Sequence, residues 1–335
     1  MTKPSISARM LVRFLCALIV AAGAAAQEVP TILEVEFENF VLYVYDVTDH
    51  SKLARSPGPV TPSSPTLANF ATSIGIADVT TINGSPAKGV LVVQVQGIAL
   101  TPAPTSGQAI SDVTRNATVF HRWEFLKPDG SQIGNIFTSG LSGGPPPPGS
   151  PLGSTSANVA VIGGTGAFIG AKGTLNQVQV AFRSASQAED PSMRRTNGGE
   201  KGRVLFQIWP MFRPEVVVTP AGPTVFHSDW SPVTSEKPAR SGETLMVFAK
   251  GLGPTSPGVN PGDPFPGQPL AVVTSPVEVL VDGKASPAIN QVGVPGTTDT
   301  YRVDFRVPDT TAAGMVPIQV SAAWAKGTAV RIPVR

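Results

Sequence analysis

The chain has 335 residues, of which only 14% are charged, whereas glycine and proline number 34 each. So many turn-forming residues beside so few charged helix formers exclude a mostly helical protein and predict short strands joined by tight turns. Without the N-terminal segment described next, 22 Lys and Arg stand against 23 Asp and Glu. Because no basic run interleaved with aromatic residues remains, this balance excludes a nucleic-acid-binding protein.

Residues 1–26 have the pattern of a cleavable secretory signal peptide. Basic residues, an apolar run and small residues follow in the expected order: Lys3, Arg9 and Arg13; residues 11–22; residues 24–26. The apolar run is too short to span a bilayer as a mature helix, so we expect no transmembrane segment after cleavage. The only cysteine, Cys16, lies in this segment. Export of a chain without disulfides favours a bacterial protein, either secreted or periplasmic.

Residues 27–213 predict a first all-β domain. Four segments alternate apolar and polar side chains, which is the period of a strand with one buried face. These segments are centred on Val35, Phe37 and residues 40–45; Leu91, Val93 and Val95; Val119, His121, Trp123 and Phe125; Val204, Phe206 and Ile208.

A proline-rich segment, residues 140–153, interrupts this domain with four consecutive prolines. Such a segment is extended and exposed. It fits a domain linker or a long hairpin loop, and the strands on either side favour the loop. Gly140–Gly144 formally match the G-x-S-x-G nucleophile elbow, but that device needs a helix after the serine, which the prolines exclude.

The segment 163–173, GGTGAFIGAKG, resembles a dinucleotide-binding loop after an apolar strand. That chemistry needs a helix to follow, because helix N-terminal amides hold the pyrophosphate. Instead Val178, Val180 and Phe182 alternate with polar or small residues, which predicts a strand. We therefore interpret the glycines as a turn between strands and expect no cofactor. Further on, charges of both signs around residues 189–203 predict a solvated hairpin loop.

Residues 214–335 predict a second all-β domain after the proline-punctuated stretch 213–223. Tyr301, Val303, Phe305 and Val307 alternate with Arg302, Asp304 and Arg306, which predicts a strand with one buried and one wet face. Asp282-Gly283 follows another alternating strand and is a strong hairpin signal. About 110 residues of strands and turns favour a β-sandwich.

Two positions are candidate catalytic residues. His121 shares a strand face with Trp123 and Phe125, so it is either a cavity histidine able to act as acid, base or ligand orienter, or a hydrogen-bonded structural histidine, which the pattern favours. Asp46 and Asp49, with Tyr43 and Tyr45, form either a polar end to an apolar cavity, with a carboxylate as general base, or exposed strand-end residues. The dispersed histidines and the missing cysteines predict no metal site.

The string GGTGAFIGAKG after an apolar strand resembles the GGTGxFxxARG signature of dirigent proteins and the similar turn of allene oxide cyclases. Residues 42–47, LYVYDV, are similar to the opening strand of those families. The resemblance implies an eight-stranded antiparallel barrel around an apolar cavity, over residues 35–210. It also implies a role for Asp46, since the aspartate at that strand end handles a reactive quinone methide in dirigent proteins. Tyrosine replaces the histidine that usually precedes it.

The second domain resembles the C-terminal immunoglobulin-like module of uncharacterised secreted families in soil acidobacteria. The segments that carry this resemblance are 241–253, 276–285 and 301–308. It implies a spacer, anchoring or partner-binding module.

These observations give three functional hypotheses. The first is a non-catalytic binding protein, whose barrel binds a small apolar or aromatic molecule through Tyr43, Tyr45, Trp123 and Phe125, or a surface partner, and whose sandwich displays or tethers it. The second is a dirigent- or cyclase-like enzyme acting on a reactive small molecule, with Asp46 and His121 as acid/base groups. The third is a structural envelope or matrix protein that binds cells or polymers through its second domain.

Overall fold

The computed structural model describes residues 30–45, 54–62, 72–97, 117–142, 157–209 and 212–335. The predicted signal peptide and most of the proline-rich segment lie outside these residues. Thr31–Arg335 form one compact unit, built of strands with a 3-10 helix at Pro191–Arg195. None of the helical residues described belongs to a segment long and apolar enough to cross a membrane.

Eight antiparallel strands close into a barrel, which confirms the predicted architecture of the first domain. The ring closes because β1 pairs with β2 on one side and with β9 on the other. A short strand, β8, pairs in parallel with the end of β1. The strands are β1 Thr31–Val44, β2 Thr72–Ile82, β3 Ser85–Gly97, β4 Ala117–Leu126, β5 Gln132–Ser142, β6 Ala157–Gly166, β7 Lys172–Val180, β8 Arg183–Ser186 and β9 Glu200–Trp209.

Alternating side chains of these strands fill the barrel lumen. On β4 the predicted inward face is confirmed, since Val119, His121, Trp123 and Phe125 are all buried and Arg122 between them is exposed. β5 and β6 are antiparallel neighbours, so the proline-rich segment joins two adjacent strands, as the hairpin interpretation predicts.

The two ends of the barrel differ. At the first, which we call the Phe168 end, the turn between β6 and β7 places Phe168 in the barrel core. Ala323 and Trp324 of the second region pack against the same core. At the other, the Val95 end, β3 ends and β4 begins, and Val95 is only half-buried.

The glycine-rich segment leads from strand to strand, as predicted. β6 ends at Gly166, a turn follows, and β7 begins at Lys172. Gly166 has a φ of 60°, and a Cβ on it would lie 2.5 Å from the carbonyl oxygen of Ile133. Only glycine adopts this conformation in this space without strain. Since no helix N-terminus follows the glycines, the dinucleotide-binding interpretation is excluded.

An irregularity in β1 reverses which side chains of its second half point into the barrel. Asn39 has a φ of 58°, and the pairing with both neighbouring strands shifts beside it. An extra residue in a strand reverses which side chains point inward. Phe40 consequently joins the barrel core, whereas Val41 and Tyr43 pack with Ala185 in a separate small cluster.

The predicted solvated loop after β8 is wrong for two of its charged residues. Glu189 is fully buried and receives two hydrogen bonds from the guanidinium of Arg183, at 2.7 and 2.9 Å. Arg194, also buried, pairs with Asp78 of β2, and Arg195 joins the same carboxylate at 2.6 Å. These ion pairs attach the segment to the barrel wall.

The second region consists of short strands. Strand β14 is central in one sheet, and β17 and β21 are central in another. The strands are β10 Glu215–Val216, β11 Val218–Thr219, β12 Gly222–Pro223, β13 Val225–His227, β14 Thr244–Lys250, β15 Thr255–Ser256, β16 Val272–Val273, β17 Val277–Val281, β18 Lys284–Pro287, β19 Asn290–Gly293, β20 Tyr301–Arg306, β21 Gly314–Ala322, β22 Ala325–Lys326 and β23 Val330–Val334.

Both sheets contribute to one apolar core, in which Val247 and Phe305 of the first accompany Val279 and Ile318 of the second. The hairpin predicted at Asp282-Gly283 is present: φ is 49° and 77° at these residues, as a two-residue primed turn requires.

Candidate functional site: the barrel lumen around His121

His121 occupies the lumen between the two ends of the barrel. Its side chain is buried, with 3% of the residue exposed, and its Nδ1 lies 2.7 Å from the hydroxyl oxygen of Thr138 on β5. The two residues are direct neighbours across the strand pair. Burial lowers the pKa of His121 to about 4. The imidazole is therefore neutral at ordinary pH, and its Nε2 remains available for a second hydrogen bond.

A layer of aromatic rings lies below His121, toward the Phe168 end. The ring of Trp123 is in edge contact with those of Phe37 and Phe206, at centroid distances of 5.8 and 5.3 Å. Phe125 and Phe168 continue the layer at 5.4 Å. Trp123, Phe125 and Phe206 are almost completely buried, so this half of the lumen is filled by side chains.

The Trp123 side chain keeps one unsatisfied polar atom. Its Nε1–H is buried and has no hydrogen-bond partner. Leaving such a donor unpaired costs about 1–3 kcal/mol. Trp123 lies next to His121, with 6.4 Å between the ring centroids. The unpaired N–H therefore belongs to a ring that neighbours the imidazole of His121.

Small side chains line the lumen above His121, toward the Val95 end. Ser73, Val93 and Val119 are buried but not completely so, and Gly140 and Val95 are half-buried. Along β4 the lining thus changes from the aromatic layer to aliphatic and small residues, although the ring of Phe40 packs over Gly75 beside Val93.

The structure brings together three of the predicted site residues, His121, Trp123 and Phe125, on one face of β4. Tyr43 lies on the other face of the barrel wall, with Val41 and Ala185. Tyr45 is half-buried just after the end of β1. Asp46 lies outside the described residues.

Tyr43 belongs to a buried polar cluster that sequence reasoning missed. Its hydroxyl is buried without a hydrogen-bond partner. Burial raises the pKa of this hydroxyl, and the nearby carboxylate of Glu189 raises it further. Burial also raises the pKa of Glu189, but hydrogen bonds from Arg183 and from the Val60 backbone N–H more than offset this and lower it. The bidentate geometry identifies the cluster as a structural anchor. Nothing in the local sequence signals it, since its partners are far apart in the chain.

The described residues contain no cluster of three or more metal-ligating side chains. His227 is buried in the second region, where its Nδ1 lies 2.6 Å from a Glu243 carboxylate oxygen. His121 is thus held by one partner, Thr138, whereas His227 is held by two, because its Nε2 also lies 3.2 Å from the Lys237 carbonyl oxygen. The lumen around His121 therefore offers an uncharged hydrogen-bonding group, the imidazole, in apolar surroundings.

Comparison of the chain with protein-family models, with curated proteins and with solved structures finds no match. The geometry of the lumen and of the second region is therefore the basis for inferring a function.

Proposed function

We propose that the chain is an exported, non-catalytic binding protein. Its barrel, of the dirigent and allene oxide cyclase type, takes a small apolar or aromatic molecule that carries one polar atom. The second region, an immunoglobulin-like sandwich, displays or tethers the barrel. The observation that carries the proposal is the neutral His121, held by Thr138 beside an unpaired Trp123 N–H, where the packed half of the lumen meets the small-residue rim.

The chemistry of the lumen around His121 and Trp123 suits ligand binding better than catalysis. A binding pocket is mostly apolar with a few placed polar groups that orient the ligand. General acid–base catalysis at ordinary pH needs a group whose pKa lies near that pH, whereas the pKa of His121 is about 4. The Thr138 hydroxyl fixes the orientation of the imidazole and leaves the Nε2 and the Trp123 N–H as the groups that select the ligand.

A saturation titration of the full-length chain with a neutral fluorescent naphthylamine tests this proposal. We expect one bound probe per chain, and a competitor that carries a carbonyl or hydroxyl group should displace it better than the matching hydrocarbon does. Native mass spectrometry of the purified chain checks the stoichiometry and detects molecules that copurify.

The deciding variants are V95F and Q96F, a matched pair on β3. Val95 is half-buried and packs against the barrel core, whereas its neighbour Gln96 is exposed. V95F fills the rim and should weaken probe binding at least tenfold, while Q96F should leave it unchanged. Binding that is not saturable, or that V95F leaves intact, contradicts the proposal.

The enzymatic alternative predicts a different outcome. If the chain acts on a reactive small molecule with Asp46 and His121 as acid/base groups, D46N and H121A should abolish turnover of the bound molecule without unfolding the protein. A bound molecule that is recovered unchanged from the wild-type chain counts against this alternative.

A further inference from the structure

A group of aromatic side chains projects from the outer face of the second region. Phe226 on β13, Phe248 on β14, Trp230 in the turn after β13, and Arg302 on β20 form what we call the Trp230 platform. Phe248 and Arg302 are direct neighbours across β14 and β20. Their neighbours along each strand, Val247 and Val303, point into the core, so the platform lies on the opposite face of the sheet.

Trp230 is held in an unfavourable backbone conformation while its side chain is displayed. Its φ is 65°, and 57% of the residue is exposed. The left-handed conformation costs a residue with a side chain about 1–2 kcal/mol. A tight turn maintains it: the Trp230 N–H donates to the His227 carbonyl at 3.0 Å, and the His227 N–H donates to the Ser231 carbonyl at 2.9 Å. Strain of this kind persists where the displayed group has a use.

The indole of Trp230 stays exposed although three side chains approach it. The guanidinium of Arg302 lies over the ring, 5.4 Å from its centroid. Phe226 and Phe248 approach at centroid distances of 6.4 and 6.3 Å with tilts of 50° and 44°, so they support the ring without stacking on it. A flat apolar surface next to a planar polar group therefore faces solvent.

Arg302, which lies over the ring, belongs to a hydrogen-bonded group of no net charge. Asp304 binds Arg302 through two hydrogen bonds of 2.8 Å, Nε to Oδ1 and Nη2 to Oδ2. The side-chain amide of Asn290 donates to the same carboxylate at 3.3 Å. The guanidinium has five N–H groups, so N–H groups remain beyond these two bonds, and the Asn290 carbonyl supplies an acceptor.

We propose that the Trp230 platform binds a neutral polysaccharide. The C–H face of a pyranose ring stacks on the electron-rich indole, and its hydroxyl groups, which are both donors and acceptors, bond to Arg302 and Asn290. The internal neutralisation of Arg302 by Asp304 favours an uncharged polymer over an acidic one. This inference rests on the proposed tethering role of the second region and names the site and the class of polymer.

A protein partner is the competing occupant. A stable protein interface buries about 800 Å² on each partner, and its energetic centre is ringed by residues that exclude water. The Trp230 platform instead sets one exposed ring beside a row of polar groups, Arg302, Asp304 and Asn290. This arrangement matches the alternation of apolar and hydroxylated surface on a sugar ring.

Affinity electrophoresis of the full-length chain tests the proposal, in gels that contain soluble β-glucan, xyloglucan, α-glucan or, as an acidic contrast, alginate. We expect retardation by at least one neutral polysaccharide and at least tenfold weaker retardation of W230G. Glycine suits the positive φ of position 230, so this variant removes the ring without adding strain. R302K keeps the charge but loses the planar fork and should weaken binding several-fold.

The control variant is F182A, which removes an exposed aromatic residue from the barrel and should leave retardation unchanged. Retardation by alginate alone, equal retardation of W230G and wild type, or no retardation by any polymer overturns the proposal, and the last outcome leaves the protein partner in its place. Sedimentation with insoluble bacterial cell walls separates the two proposals. If the wild type and W230G sediment equally, tethering stands without this site, and if neither sediments, tethering itself fails.

Discussion

The indole of Trp324 in the second region lies parallel to the ring of Phe168 in the barrel turn, with 6.3 Å between the centroids and 5° between the planes. The same indole meets Phe125 at 6.3 Å in an edge contact. Phe168 and Phe125 both belong to the barrel core. One side chain of the second region therefore covers the Phe168 end of the barrel.

Replacing Trp324 with alanine should lower the free energy of unfolding. The variant uncovers Phe168 and Phe125 and loses aromatic contacts worth about 0.5–1.5 kcal/mol each. Because Trp324 is only half-buried, we expect a loss of about 2 kcal/mol rather than the 3–5 of a fully buried tryptophan. Urea unfolding measures it. The control is I169A, in the turn between β6 and β7 that also contains Phe168. Ile169 is 51% exposed, so this variant should change stability by no more than about 0.5 kcal/mol. Equal losses in the two variants would show that Trp324 does not cover the barrel.

The stability of the protein should fall between pH 6.5 and pH 4 because of His121. In the unfolded chain its imidazole is protonated below the ordinary value of 6.5, whereas in the folded protein the pKa is about 4. The unfolded state thus binds more protons in this window, and acidification favours it. A shift of this size corresponds to about 3 kcal/mol.

Urea unfolding of wild type and H121Q at pH 7 and pH 4.5 isolates this contribution. Glutamine can still form a hydrogen bond with Thr138 but does not titrate. The carboxylates contribute equally to the pH dependence of stability in both proteins, so they cancel in the comparison. We expect the wild type to lose more stability on acidification than H121Q. Identical losses would mean that His121 is accessible to protons in the folded state.

The E189Q variant should destabilise the segment between β8 and β9. Glutamine has the same shape but no charge, so it leaves the half-buried guanidinium of Arg183 without its counter-ion. We expect a loss of about 2 kcal/mol, below the range for a fully buried pair because Arg183 is partly exposed.

Because the pKa of Glu189 is lowered in the folded protein, its contribution is present above the unfolded pKa and disappears as the pH falls through the folded one. The wild type and E189Q should therefore converge in acid. Limited proteolysis within residues 183–199 provides a local readout. The exposed pair of Lys201 and Glu38 supplies the control, E38Q, which should have little effect. A constant difference between wild type and E189Q down to pH 2 would exclude an ionic origin.

Substitution of Gly166 with alanine should cost more than the same change at another glycine of positive φ. At Gly166 the new methyl group meets the Ile133 carbonyl oxygen at 2.5 Å, whereas at Gly130, with a φ of 88°, no atom lies within 4 Å. G130A therefore carries only the backbone cost of about 1–2 kcal/mol, and G166A adds a steric clash. Thermal unfolding should place the midpoint of G166A below that of G130A. The reverse order would show that the turn can relax around a larger residue.

Strand positions could be predicted from the sequence wherever alternation is regular. The faces of β4 follow from the period of two. The same period predicts strand β7 after the glycine turn, although Phe182 lies beyond its end. Asp282-Gly283 fixes its hairpin by local backbone preference. The inward and outward faces of β1 beyond Asn39 could not be predicted. One extra residue reverses these faces, and its position depends on the strands that pair with β1 on both sides. Val41 and Tyr43, although they belong to β1, therefore lie outside the lumen.

The candidate site was predictable only in part. His121, Trp123 and Phe125 share a face by periodicity, but the bond to Thr138 depends on the register of β4 against β5. The burial of Glu189 depends on Arg183 and on the Val60 backbone, which no spacing rule brings together. Likewise Trp230 and Arg302 are separated by six strands in sequence, and only the pairing of the sheet makes them neighbours.

The parallel pairing of β8 with β1 has a consequence for self-association. Beyond Phe40, β1 leaves β9 and pairs with β8, Arg183–Ser186. Without β8, the backbone N–H and C=O groups of residues 41–44 would be unpaired along one edge of a strand rich in β-branched and aromatic side chains. Another copy of the chain can add a strand to such an edge. A protease nick that releases β8 should therefore promote self-association of the barrel through this edge.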